Sequence, residues 1–382
     1  MFGLFGSVCS AIFIEEGVFG VAGLGGAMLW ICKMIFGIYE KCCELFIKLP
    51  GARIVMGQPE YWQMIVYYGI LIIAIILWRY RKYRLGFLVG MIIVNVLFMM
   101  FPVNKVESRM KEKMKITVLD VGQGDGIFVE GPEGKTYLID SGSSDVKKVG
   151  KYRIEQFLKS QGIRSIDYVF VSHGDGDHIS GIMEMIERGD VGVSIETIIF
   201  PNRKVWDEEL QELAVLSIEK EMNVVEMKAG QKLIEGKMKI SCLAPIDDVN
   251  AYTEKGNAAS MVLALNYGDF DMLLTGDVEG KGEEILTKVI LDSNKKISWE
   301  ILKVAHHGSK NSTSEEFLKV VSPSYAVISA GRKNMYGHPS KETIKRLREV
   351  GSIILSTQEN GAIMIVTDGE KMKVKGYVKE GV

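Results

Sequence analysis

Val171-Ser172-His173-Gly174-Asp175-Gly176-Asp177-His178 places two histidines and two aspartates within six residues, with glycine between three of them. Imidazole nitrogens and carboxylate oxygens that converge on one point are what divalent metals bind. The chemistry such a cluster supports is metal-assisted hydrolysis. A solvated acidic turn is the bland alternative for this stretch alone. Three other stretches carry the same residue types: Thr275-Gly276-Asp277, His306-His307-Gly308-Ser309, and the loop Ala330 to Pro339 with His338.

The elements around these residues say how they could meet. Ile166 to Val171 is a short apolar run that reads as a buried strand, and Ile179 to Glu187 reads as a helix. The cluster therefore sits on a strand-to-helix loop that its glycines let fold tightly. Phe270 to Leu274 leads into Asp277, well placed to face a cleft at a strand's carboxyl end. Asp277 is a candidate bridging ligand, or else the N-cap of a helix over 279–289. Ile301 to Ala305 is a buried strand ending on His306 and His307. Successive strand residues face opposite ways, so one of the two is expected to reach a metal and the other to orient a neighbour or donate a proton. Asp140 ends a strand from Thr136 and is either a ligand-holding group behind a histidine or a turn cap. All five histidines, at 173, 178, 306, 307 and 338, fall in loops that follow predicted strands, which argues for one shared site.

The 382 residues divide into two unlike parts. Residues 1–104 hold only eight Lys/Arg and five Asp/Glu, leaving 38 basic and 43 acidic residues of the total 46 and 48 to 105–382. The second part is mildly acidic, which excludes a generally basic nucleic-acid binder. Trp62 to Trp78 and Leu85 to Phe101 are apolar runs close to the ~20 residues a bilayer core needs, the first with tryptophan at both ends. Gly17 to Ile38 is a third, weaker span preceded by Glu15 and Glu16, and Tyr39 to Leu49 reads as a separate surface amphipathic helix. The basic loop Arg79 to Arg84 would lie in the cytoplasm, which puts the domain after a charged linker (105–114) outside it. Five cysteines without a CxxC pattern give neither a zinc motif nor a disulfide framework.

Leu119-Asp120-Val121-Gly122-Gln123-Gly124-Asp125, Asp140-Ser141-Gly142, SHGDGDH at 172–178, Thr275-Gly276-Asp277, AHHGS at 305–309 and GHPS at 337–340 occur in this order. Together they resemble the metallo-β-lactamase-fold domain of the ComEC family of DNA-uptake proteins, over most of 115–378. The apolar part looks like the last helices of that family's membrane domain, whose larger amino-terminal portion is missing here. The resemblance implies an α/β fold, an αββα sandwich over 115–382, behind a transmembrane region over 1–104. It also implies two divalent ions, zinc or manganese. His173 and Asp175 would hold one, Asp177, His178 and His338 the other, with Asp277 bridging. The sequence departs from the superfamily's HxHxDH pattern: Asp175 stands where a histidine is usual, and no histidine lies between 178 and 306. A site richer in oxygen favours manganese or magnesium more than an imidazole-rich one does.

Asp177, His306 and His307 are then the expected catalytic groups, with Asp140 and Asp125 supporting them. Ser309, Lys310, Arg332 and Lys333 flank the site, as phosphate holders or as solvated loop residues. The expected function is a membrane-anchored, metal-dependent nuclease on incoming DNA, partnered by DNA, the membrane and other channel subunits or the missing amino-terminal part. Hydrolysis of another phosphodiester or small substrate, and a non-catalytic membrane scaffold, are the alternatives.

Overall fold

A computed structural model describes residues 19–47, 55, 57–77, 84–99, 112–189, 192–252, 256–293 and 299–378. The chain forms two compact units, residues 1–55 and 56–382. In the first, helix α1 (Phe19–Ile47) runs unbroken for 29 residues. The expected division into a span and a separate surface helix at residue 38 is therefore not made. No proline interrupts the run, and Gly37 alone is a weak breaker.

The second unit begins with two apolar helices, α2 (Tyr61–Leu77) and α3 (Arg84–Met99), packed on each other. They coincide with the two strong apolar runs and turn residues such as Ile65, Ile75 and Ile93 outward. Among the described residues no helix is long and apolar enough to cross a membrane. The 17 residues of α2 rise about 25 Å at 1.5 Å each, short of the ~30 Å hydrocarbon core. Glu15, Glu16, the basic loop over 79–83 and residues 105–111 of the expected linker lie outside the described residues.

The rest is a sandwich of two sheets. Strands β1 (Met114–Val118), β2 (Gly126–Glu130), β3 (Thr136–Ser141), β4 (Ser165–Phe170), β5 (Ser194–Phe200) and β6 (Asn223–Glu226) open the first sheet. Strands β7 (Lys232–Glu235), β8 (Met238–Ala244), β9 (Val262–Tyr267), β10 (Phe270–Leu274), β11 (Ile301–Lys303), β12 (Tyr325–Ile328) and β13 (Ile353–Ser356) form the second. Then β14 (Ile363–Thr367) and β15 (Met372–Gly376) return to the first. The orders are β15-β14-β1-β2-β3-β4-β5-β6 and β13-β12-β11-β10-β9-β8-β7.

Each sheet buries both faces. Ile116, Ile139, Phe170, Leu263, Met272 and Val327 belong to the core between the sheets. Outside the first sheet, Ile166, Val169 and Ile198 pack with helices α4 (Glu155–Ser160), α5 (Gly176–Arg188) and α6 (Glu208–Glu219). Outside the second, Leu273, Leu302 and Ala326 pack with α7 (Gly280–Asp292), α8 (Glu315–Val321) and α9 (Lys341–Glu349). The layers are therefore αββα, as expected.

Strand direction is what positions the site. β3 to β6 pair parallel, and so do β10 to β13. Parallel strands put all their carboxyl ends on one edge, where the connecting loops gather. Asp140 lies at the end of β3 itself, and the loops after β4, β10, β11 and β12 carry the SHGDGDH stretch, Asp277, the twin histidines and His338. Phe170, fully buried at the end of β4, anchors the loop that bears His173. Phe170→Ala is expected to lower unfolding stability by about 3–5 kcal/mol, read as a lower denaturant midpoint with far-ultraviolet dichroism of the native state unchanged.

Candidate metal centre

The loop after β4 is shaped by what surrounds it. A Cβ on Gly174 would lie 2.3 Å from an Asp207 carboxylate oxygen, and one on Gly142 2.4 Å from the carbonyl carbon of Asp177. Gly142 faces backbone and needs glycine for this close approach, whereas at Gly174 the Asp207 side chain would have to shift. Asp177 and His178 fall in the first turn of α5. Asp140 takes a left-handed conformation (φ +53°) at the end of β3. Its Oδ1 accepts the Ser172 N–H at 2.8 Å, and its Oδ2 lies 2.9 Å from His178 Nδ1. That contact fixes the ring so that Nε2 faces the cleft, 3.2 Å from Asp277 Oδ1. His173 is held by Ser172 Oγ, 2.9 Å from its Nδ1, and its ring centre lies 4.1 Å from that of His178.

The opposite wall comes from the second sheet. β11 ends at Lys303, and the twin histidines lie in the following turn, Ala305–Gly308, both left-handed (φ +48° and +53°). The expectation that they face opposite ways fails, because strand alternation has stopped before they begin. Both rings reach Asp277 Oδ2, His307 Nε2 at 3.4 Å and His306 Nε2 at 3.8 Å. His307 is buried, its Nδ1 3.0 Å from the Ser329 carbonyl oxygen and its Nε2 3.3 Å from Asp177 Oδ2. His306 is half-buried, and its Nδ1 lies 2.8 Å from Glu279 Oε2. Asp277 does not cap a helix; Glu279 holds the N-cap position of α7.

Buried polar atoms normally find partners. Here His173 Nε2, His178 Nε2, His307 Nε2 and Asp277 Oδ1 are buried without a hydrogen bond. Their separations are those of ion pairs, but their alignment is not that of donors and acceptors. They are instead arranged as ligands: His173, His178 and Asp277 can offer atoms within 4.8 Å of one another, as can Asp177, His178 and His307, and Asp125, Asp277 and His307. The residues fit divalent cations, with three imidazoles and carboxylates from both sheets.

Charge explains why such a cluster tolerates burial. Burial works against ionisation of Asp277, but the charges of His307 and His178 hold its carboxyl well below the usual range. Burial likewise opposes protonation of His178 and His307. The Asp277 charge, with Asp140 beside one ring and Asp125 and Asp177 beside the other, outweighs it. His178 is raised well above its ordinary value and His307 to about 10. The same concentration of negative charge that favours protons on these rings would favour divalent cations in their place.

A model of the metallo-beta-lactamase superfamily matches residues 119–332. The chain belongs to the metallo-beta-lactamase superfamily. ComE operon protein 3 of Bacillus subtilis is 29% identical over 287 residues, covering 72% of this chain and 35% of the relative. Recombination protein 2 of Haemophilus influenzae is 28% identical over 282 residues (74% and 32%), and competence protein ComA of Neisseria gonorrhoeae 28% over 257 (67% and 33%). The chain spans about a third of the length of these curated relatives. Among solved structures, the metallo-beta-lactamase fold protein YhfI of Bacillus subtilis is similar at 14% identity and a TM-score of 0.43, over 67% of this chain and 99% of that one.

Superfamily membership implies a metal-dependent hydrolase, and the His/Asp cluster fits divalent ions. The superfamily's HxHxDH positions fall on His173, Asp175, Asp177 and His178. Asp175 sits at the mouth, its side chain 55% exposed and its Oδ2 3.6 Å from His173 Nε2. It belongs to none of the ligand groups, whereas His307 does. His338 also stands outside them, although its ring centre is 5.4 Å from that of His306. Burial and the charges of His306 and His307 push His338 down to about 4. Of the flanking residues, Ser309 is buried in the turn, its Oγ accepting the Asn311 N–H. Lys310, Arg332 and Lys333 are exposed, and Arg332 Nε donates to the Gln358 carbonyl oxygen.

Two participants escape the sequence reading. Lys303 is fully buried, its Nζ donating to Asp125 Oδ2 at 2.7 Å and to the Val304 carbonyl oxygen at 3.1 Å. Asp125 Oδ1 in turn lies 3.5 Å from His307 Nδ1. Burial opposes the Asp125 charge, but the Lys303 ammonium holds its carboxyl low. A lysine inside the apolar run Ile301 to Ala305 was the available signal. Glu279, which pairs with His306, had none beyond its place two residues after Asp277.

Asp140→Asn is expected to weaken metal binding about 10–100-fold, measured by competition with a chelating dye. The His307 shift gives a pH test. A histidine raised from 6.5 to about 10 on folding contributes stability that is full below the unfolded value and lost as pH rises through the folded one. The denaturant midpoint of the metal-stripped chain is expected to fall between those two pH values, and metal uptake at neutral pH to release protons into a weakly buffered solution.

Proposed function

We propose that the chain is a membrane-anchored, metal-dependent nuclease that cleaves a strand of incoming DNA during uptake. The observation that carries the hydrolytic part is the set of buried, unpartnered ring nitrogens around Asp277. Support for DNA as substrate comes from relatives named for competence and recombination. Support for anchoring comes from the outward isoleucines of α2 and α3. In this reading the sandwich lies outside the cytoplasm, and further channel subunits or an amino-terminal membrane portion complete the conduit.

His173, His178 and Asp277 would hold one ion, and Asp177 and His307, grouped with His178, another, with Asp277 Oδ2 3.4 Å from His307 Nε2 and so near both. Manganese or zinc held by these residues would make a nucleophile available at neutral pH and would offset charge in an in-line displacement at phosphorus. Asp140 and the Ser329 carbonyl orient His178 and His307 from behind. His306 is the half-exposed imidazole, steadied by Glu279. Burial lowers its proton affinity, but the Glu279 contact and the Asp277 charge raise it above the ordinary value. In this reading its protonated form donates from Nε2 to the oxygen that leaves phosphorus as the P–O bond breaks. Lys310 and Lys333 offer exposed ammonium groups to the non-bridging oxygens.

The test is cleavage of single- and double-stranded DNA by the purified full chain with added manganese or zinc. Cleavage is expected with metal and not with chelator. Asp277→Ala is expected to abolish it while the chain keeps its native dichroism. Undiminished cutting by that variant, or no cutting by the wild type with either metal, overturns the reading.

A further inference from the structure

The site continues into a surface that nothing above uses. After His338, Pro339 packs so closely on Gly308 that a Cβ there would lie 2.7 Å from Pro339 Cβ. The Ser340 N–H donates to the Gly308 carbonyl oxygen at 2.8 Å, and Thr343 Oγ1 to the Ser309 carbonyl oxygen at 2.7 Å. One turn on, Arg346 Nη2 donates to the carbonyl oxygens of Lys310 and Ser312. Helix α9 is thus pinned along the loop that follows the twin histidines and runs outward from the cleft.

Its free side is basic. Pro339, Lys341, Ile344, Lys345, Arg348 and Glu349 line one groove. Lys341, Lys345 and Arg348 are exposed and follow i, i+4, i+7 spacing, which puts them on one helix face. Lys345 shares Glu349 at 3.6 Å, while among the described residues Lys341 and Arg348 have no carboxylate partner. The three cations stand out from a domain that is acidic overall. From Lys341 to Arg348 the helix rises about 10 Å, about three steps of a stacked strand at 3.4 Å each.

Three residues before Pro339, which lines this groove, an aromatic ring is displayed. Tyr336 is 60% exposed and stacks on His338, with ring centres 5.7 Å apart and planes at 26°. A buried tyrosine would be ordinary packing; this one is exposed and stacks on His338, whose ring centre is 5.4 Å from that of His306. A line of cations with an adjoining open aromatic face is how proteins follow single-stranded nucleic acid: cations track phosphates, and rings stack bases regardless of sequence.

We propose that the outer face of α9, headed by Tyr336, is a track for a single-stranded polynucleotide threaded through the metal centre, a proposal that rests on the nuclease reading. Lys341, Lys345 and Arg348 hold successive phosphates, and Tyr336 stacks the base nearest the cleft. An acidic protein is the competing partner for a basic helix, but it would give Tyr336 no role.

The test reads binding separately from cleavage. Full-length wild type and Lys341→Gln/Lys345→Gln/Arg348→Gln, both in detergent micelles, are titrated into a fluorescent oligothymidylate of about 20 nucleotides, longer than typical single-strand site sizes. The triple variant is expected to bind about 10-fold or more weakly, and its log–log salt slope to be shallower by about 2, since each phosphate contact contributes about 0.7. Tyr336→Leu is expected to weaken binding of the oligothymidylate but not of an abasic strand of equal length. Hydrolysis of bis-p-nitrophenyl phosphate by the triple variant is expected to match wild type. Equal oligonucleotide affinity of the triple variant and wild type overturns the track, whatever the cleavage result. So does polyglutamate of matched charge competing as well as the oligonucleotide. Strand binding that depends on the three cations in a wild type that cuts no DNA leaves the track standing and overturns the nuclease reading instead.

Discussion

A carboxylate in a dry place governs this molecule. Asp277 is buried, yet its two oxygens lie within 4 Å of three imidazoles drawn from two different loops. An ionised carboxylate out of water is costly unless cations stand close to it. Everything at this edge of the sandwich answers that demand. Asp140 keeps the His178 ring turned toward Asp277, the Ser329 carbonyl does the same for His307, and Glu279 for His306. The two sheets contribute opposite walls, so the pocket exists only when both have packed on their common core.

Much of this was legible in the residues. The SHGDGDH loop, the helix after it and the strand leading to Asp277 follow from apolar periodicity and glycine placement, whereas the αββα layering follows from the ordered motifs through the resemblance they carry. What was not legible depended on where a strand stops. Ile301 to Ala305 reads as one strand, and strand alternation would send His306 and His307 apart. The backbone instead leaves the sheet at Lys303 and turns left-handed twice, bringing both rings to one carboxylate. Local pattern cannot report this, because the turn is set by the Ser309 and Ser312 hydrogen bonds beneath it and by Pro339 against Gly308. The long α1 was missed for a related reason: a change of polarity at Tyr39 suggested a boundary, but helix continuation needs only the absence of a breaker.

The departure from HxHxDH has a structural counterpart. Asp175 stands where the pattern has its second histidine, and its side chain is over half exposed at the mouth. His307 is instead the buried imidazole facing Asp177 and Asp277. The second sheet thus supplies a buried imidazole to the cluster, while Asp175 of the first sheet stays at its mouth. Fewer rings and more carboxylates make a harder donor set, and a harder set needs more positive charge nearby to stay compact.

Lys303 meets part of that need in a way no histidine could. Its ammonium is attached to the chain, lies out of solvent, and sits 2.7 Å from Asp125. It cannot diffuse away as an ion can. The contact ties the end of β11 in the second sheet to the loop between β1 and β2 in the first, so the balance of the Asp125 charge is written into the polypeptide itself.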